Sequence, residues 1–170
     1  MKFVFDASPL IHLTRAGLAS MIEVLDGEKY TVPVVYHEVV DVGKALGYAD
    51  AVATEELINR RIVKIRNPES SMIQTISAAH KDLHIGEAQV IALSREIKAI
   101  AILDDGVARA VAKMHNVRVE GTYSIILRAL VKGAISKGKA EDSLQNLVLS
   151  GWRCDIELYN KLMKMVRETP

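Results

Sequence analysis

Apolar residues along this chain fall into stretches of two kinds. Short β-branched runs at Lys2–Phe5, Lys29–Val32, Ile62–Ile65, Ala99–Leu103 and Val117–Val119 predict strands. The runs at 2–5 and 99–103 lack polar alternation, as expected for strands covered on both faces in a parallel sheet. Longer stretches with helical spacing lie between them: Pro33 through about Ala45, Asp50–Arg61, Ile85–Ile97, Val107–His115, Tyr123–Lys132, Lys139–Leu149 and Ile156–Val166. Ser8 and Pro9 read as the N-cap and first position of an early helix, Ser20 and Glu23 have capping-box spacing, and Gly151 is placed to stop a helix. Strands alternating with helices imply βαβ units and an α/β fold with a parallel sheet. The last two helices have no strand after them and read as an appended cap or interaction arm.

Composition narrows the class. The chain has 170 residues, 49% hydrophobic and 5% aromatic, so its core is aliphatic, and the 25% charged residues fit a soluble globular protein rather than a disordered one. A net charge of +1 gives no global attraction for nucleic acid, although an acidic site can cancel a basic rim in that sum. The lone Cys154 excludes an intramolecular disulfide and a cysteine-built zinc site. Asp6 interrupts the N-terminal apolar stretch, and no segment has the apolar length of a membrane span. The expectation is a soluble cytoplasmic protein.

Acids occupy unusual places in this pattern. Asp6 directly follows the first strand, and the adjacent pair Asp104-Asp105 directly follows the fourth. In a parallel sheet, functional groups collect at the carboxyl ends of strands. Glu38 and Glu87 are placed by helical spacing on the apolar faces of their helices, alongside Val34, Val35 and Val39 in one and Val90 and Ile91 in the other. A carboxylate facing a core is costly unless something neutralises it, and a hard divalent cation such as Mg²⁺ or Mn²⁺ would do so for all of them together. Each acid also has a simpler reading: Asp6 as a turn residue, Asp105 as an N-cap, Glu87 as a helix-dipole partner, and Glu38 as the ion-pair partner of Lys44 or Arg15.

The ordered set FDASPLIHL (5–13), VPVVYHEVV (32–40), LHIGEAQVIALS (83–94) and ILDDGVARAVA (102–112) resembles the PIN-domain family of small metal-dependent ribonucleases, which includes toxins of toxin–antitoxin pairs. The resemblance covers roughly residues 1–130 and points to a prokaryotic subgroup with added C-terminal helices. It implies a three-layer α/β/α domain at 1–133, with residues 134–170 as a helical extension packed on it. It implies an endoribonuclease with one or two Mg²⁺ or Mn²⁺ ions held by Asp6, Glu38, Glu87 and Asp104. Asp105 is an alternative fourth acid, because Asp-Asp-Gly stands where many relatives have a hydroxyl residue and a later aspartate. Ser8 matches a small hydroxyl residue that often accompanies the first acid. Arg109 and Lys113 are candidates for substrate phosphate, with Arg15 and Arg60-Arg61 in reserve. The implied partners are RNA, a small antitoxin protein and a second copy of the chain in a homodimer or higher homo-oligomer.

Other signals are weaker. His80 and His84 have the spacing of two ligands on one helical turn, but Asp82–Ile85 reads as a break between them. Trp152 and Tyr159 read as anchors of the last helix, and Gly86 and Gly106 belong to no phosphate-binding loop. Two rival classes stand beside the nuclease. One is a PIN-like domain that has lost catalysis and binds RNA or protein. The other, a receiver-like or phosphohydrolase domain, should carry Asp-x-Asp or paired acids after its first strand, where this chain has Asp-Ala-Ser.

Overall fold

A computed structural model describes residues 1–170. Strand β1 (Lys2–Phe5) leads into α1 (Ala7–Arg15) and α2 (Ala19–Glu23), followed by β2 (Glu28–Thr31). Next come α3 (Pro33–Tyr36), a π-helical segment (His37–Val42) and a last turn, α4 (Gly43–Ala45), together continuous from Pro33 to Ala45. The remaining order is α5 (Ala49–Asn59), β3 (Val63–Ile65), α6 (Ser70–Ala79), α7 (Ile85–Glu96), β4 (Ile100–Ile102), α8 (Gly106–Met114), β5 (Arg118–Glu120), α9 (Tyr123–Val131), α10 (Lys137–Leu149) and α11 (Ile156–Glu168). Helix α6 is an addition to the sequence expectation. Of its ten residues only Ile76 is fully buried, with Met72 and Ile73 partly buried against the core beside it, so its apolar stripe is short.

The five strands pair in parallel in the order β3-β2-β1-β4-β5, with Val4 opposite Tyr30 on one side and Phe5 opposite Ile102 on the other. The two runs without polar alternation are thus neighbours at the centre, where helices cover both faces. Helices α1, α2, α5 and α9 pack on one another, as do α6, α7 and α8, and α7 lies against β1 and β4. The result is a three-layer α/β/α sandwich. One apolar cluster runs from Phe3 through Leu144, Leu147, Trp152, Leu162 and Val166, so the C-terminal helices share the core of the sheet. Trp152 is buried in this cluster with Leu162 and Val166 of the last helix, and it packs beside Tyr123 with ring centroids 6.1 Å apart. No helix is long and apolar enough to cross a membrane.

Several local expectations shift. Asp6, not Ser8, holds the cap position of α1, which starts at Ala7, and Ser8 lies in the first turn. Helix α2 starts at Ala19 with Leu18 before it, so Ser20 is inside the helix and the capping box is not built. In the π segment one extra residue enters the turn, and the 3.6-residue phase slips. Val35, Val39 and Val40 are buried, Val42 beyond the slip is exposed, and Glu38 is exposed to solvent instead of facing the core.

Candidate metal and nuclease site

The sheet reverses direction at its centre. From β1 the chain builds outward through β2 and β3, then returns to place β4 on the other side of β1. Such a switch point opens a crevice beyond the carboxyl ends of the two central strands. Asp6 stands there directly after β1, its N–H donating to Ile102 O (3.2 Å), and Asp104 stands two residues past β4.

Asp6 is buried, and its pKa rises from 3.8 to about 7. Desolvation is the main cause. The neighbouring Ala7 backbone N–H works in the opposite direction, and the charges of Glu87, Glu38 and Asp104 add to the rise. No basic side chain is among the groups acting on it. Glu87, also buried, is the third residue of α7, and its Oε2 accepts the His84 N–H at 2.9 Å. Burial raises its pKa too; the His84 N–H opposes the rise, and Asp105 and Glu38 contribute to it. The start of α7 sits against α3 and Asp6. A Cβ built on Gly86 would meet Val35 Cγ2 at 3.4 Å and Asp6 Oδ1 at 3.8 Å.

Glu38 is exposed, yet its charge acts on both Asp6 and Glu87. It pairs with neither expected cation: Lys44 binds Glu55 (2.8 Å) and Arg15 binds Asp50 (3.5 Å). The adjacent acids Asp104 and Asp105 separate in role. Asp105 is exposed and caps α8, its Oδ1 accepting the Ala108 N–H at 2.9 Å. Asp104 is half-buried and held by Thr122, whose N–H donates to Oδ1 (2.8 Å) and whose hydroxyl donates to Oδ2 (2.6 Å).

Among the candidate phosphate contacts, Arg109 donates to Leu103 O at 3.0 Å, tying α8 to the end of β4. Lys113 is exposed on the last turn of α8. Arg60 is held by Glu23 in a two-point pair. Sequence reasoning overlooked Gly121 and Thr122, although they follow β5 as Asp104 follows β4. At Gly121 a Cβ would come within 3.0 Å of both Arg109 Nη1 and Tyr123 Cε1 and 3.2 Å of Asp104 Oδ1, so glycine keeps this corner open. His12, expected from the sequence to be a surface or hydrogen-bonded core residue, is instead partly buried with an unpartnered nitrogen, Nδ1. Burial lowers its pKa, with Asp104 opposing.

The donors suit a hard divalent cation in kind and charge: carboxylate oxygens, one of them buried with its charge uncompensated. No three His, Cys, Asp or Glu side chains stand ready to hold one ion together. A cleft of about 610 Å³ elsewhere, lined by Phe3, Leu25, Tyr123, Leu127 and Arg128 among others, includes none of these acids.

Fold and site together define an α/β domain with acids gathered at the switch point of a five-stranded parallel sheet. The chain matches the family model described as PIN domain over residues 2–168, and it belongs to the PIN-domain family, a nuclease-type fold. No curated protein matches it.

Proposed function

We propose that this protein is a divalent-metal-dependent endoribonuclease hydrolysing RNA phosphodiester bonds, and the toxin of a toxin–antitoxin pair. The observation that carries this reading is Asp6, a buried carboxyl at a strand end whose pKa burial and three other acids push up to about 7, with no cation to offset them. Asp6, Glu38, Glu87 and Asp104 would hold Mg²⁺ or Mn²⁺, with Asp105 at the margin. Such an ion, when bound, activates water, orients the phosphodiester and offsets charge on the leaving oxygen. The chain's own residues do the rest. Burial of Asp6 and Glu87 keeps their charges poorly hydrated, which strengthens attraction for a cation. Thr122 fixes Asp104 in one orientation. Ser8, Arg109 and Lys113 are the substrate-side groups, Ser8 close to Asp6 in the chain and the two cations on the helix that follows Asp105.

A small antitoxin and a second copy of the chain are the proposed protein partners. Exposed Val42, Leu46, Tyr48 and Val52, on neighbouring segments near Glu38, offer apolar surface for such contacts. One set of observations favours a second reading, a non-catalytic binding module: Glu87, Asp104 and Asp105 each already serve a hydrogen bond within the fold. The test is cleavage of RNA by purified protein with Mg²⁺ or Mn²⁺, beside EDTA and an Asp6→Asn variant prepared identically. Metal-dependent cleavage that vanishes in the variant supports the nuclease. Equal cleavage by both indicates a contaminant, and absence of both cleavage and metal binding supports the module.

A further inference from the structure

The histidines set aside in the sequence meet a different partner in the fold. His80 ends α6 and His84 opens α7, so they share no helical turn. Instead His80 Nε2 lies 3.3 Å from Nε2 of His115, which ends α8, with the two rings nearly perpendicular at 81°. Both residues are half-buried. For an N–H···N hydrogen bond this separation is long. It equals the edge of a tetrahedral site: Zn–N bonds of about 2.0–2.1 Å place two ligand nitrogens about 3.3–3.4 Å apart.

From this geometry we infer that His80 and His115 form a two-nitrogen chelate for a borderline divalent cation, Zn²⁺ foremost, with water completing the coordination. Imidazole nitrogens select such an ion over Mg²⁺ or Mn²⁺, which prefer the carboxylates. The location favours positive charge, because α6 and α8 both direct their C-terminal ends, with the negative partial charge of the helix dipole, toward this pair. Arg95 is the opposing charge; its Nη1 is drawn toward Met72 Sδ at 3.6 Å. A bound ion ties the end of α6 to the end of α8, and α7, which carries Glu87, packs against both. The site is thus a strap on the helices behind the acidic cluster, separate from the cluster and independent of whether the protein cuts RNA.

The test is titration of the chelator-treated full chain with Zn²⁺ alone, followed by NMR of the histidine side-chain nitrogens, read at His80 and His115; His12 and His84 lie next to the acids and would report occupancy there instead. The expected result is that His80 and His115 Nε2 signals move together and saturate with one ion at this pair, while that of His37 stays. Chelation by two preset nitrogens acts as a bivalent contact, so His115→Gln should weaken this binding by about a hundredfold. His80→Gln should weaken it to a similar extent, and circular dichroism would verify that both variants fold. Equal affinity in wild type and folded variants overturns the inference. So does movement of all five histidines together only at millimolar Zn²⁺.

Discussion

Replacing Asp6 by asparagine should stabilise the metal-free protein, and the gain should grow with pH. An acid whose folded pKa lies above its unfolded value favours the folded state only while protonated. Between 3.8 and about 7 the folded chain retains a proton that the unfolded chain releases, so stability falls as pH rises through that window and levels off above it. The full displacement corresponds to about 4 kcal/mol. At pH 5 the cost of Asp6 is about 1.7 kcal/mol and at pH 8 about 4 kcal/mol, so the advantage of the variant should widen by about 2–3 kcal/mol between them. Asparagine can still accept the Ala7 N–H, which leaves charge as the main change. Urea unfolding in EDTA at the two pH values measures the difference directly. For a chain of this length it corresponds to a melting shift of about 5–10 °C. A gap that does not change with pH, or a variant less stable than wild type at pH 8, would refute the claim that Asp6 is a buried, uncompensated carboxyl.

Three further outcomes follow from the neighbours of Asp6. Thr122→Val removes the hydroxyl bond to Asp104 while keeping its backbone bond, and should cost about 1.5–3 kcal/mol in chemical unfolding. Gly121→Ala pushes a methyl against Arg109, Tyr123 and Asp104, which should cost about 1–3 kcal/mol and lower any metal-dependent activity. Asp105→Asn keeps a good N-cap for α8 while removing a charge, so stability should stay within about 0.5 kcal/mol. If Asp104 is the fourth acid, cleavage by Asp105→Asn should also persist where that by Asp104→Asn fails, as paired RNA assays would show.

The centre of the sheet was legible because the two runs without polar alternation are its paired central strands, whereas β2, β3 and β5 carry charged residues and were read from their β-branched and aromatic positions between helices. The ends of helices were less legible. Ser8 and Ser20 carry the chemistry of caps, but the chain turns earlier at each place, since a local preference worth about 1 kcal/mol yields to packing. Helix α6 went unread because its stripe is only Met72, Ile73 and Ile76 among serines and threonine, a weak periodic signal. Among the acids, the strand ends located Asp6 and Asp104 because topology alone places them. The inward-facing placement of Glu38 leaned on its spacing from Val34 and Val35, but Val34 is itself only half-buried, so this edge of the helix lies at the margin of the buried face. The clamp from Thr122 and the meeting of His80 with His115 join residues 18 and 35 positions apart, beyond the reach of any local pattern.

As a nuclease, the protein must hold a hard cation on the acids at the switch point. Calorimetric titration with Mn²⁺ near pH 7.5, on wild type and on folded Asp6→Asn and Glu87→Gln variants, tests this requirement most directly. Wild type should bind Mn²⁺ saturably with release of protons, since Asp6 must ionise to bind, and binding should be reduced or lost in both variants. Equal binding by all three proteins, or no binding to wild type, would contradict it.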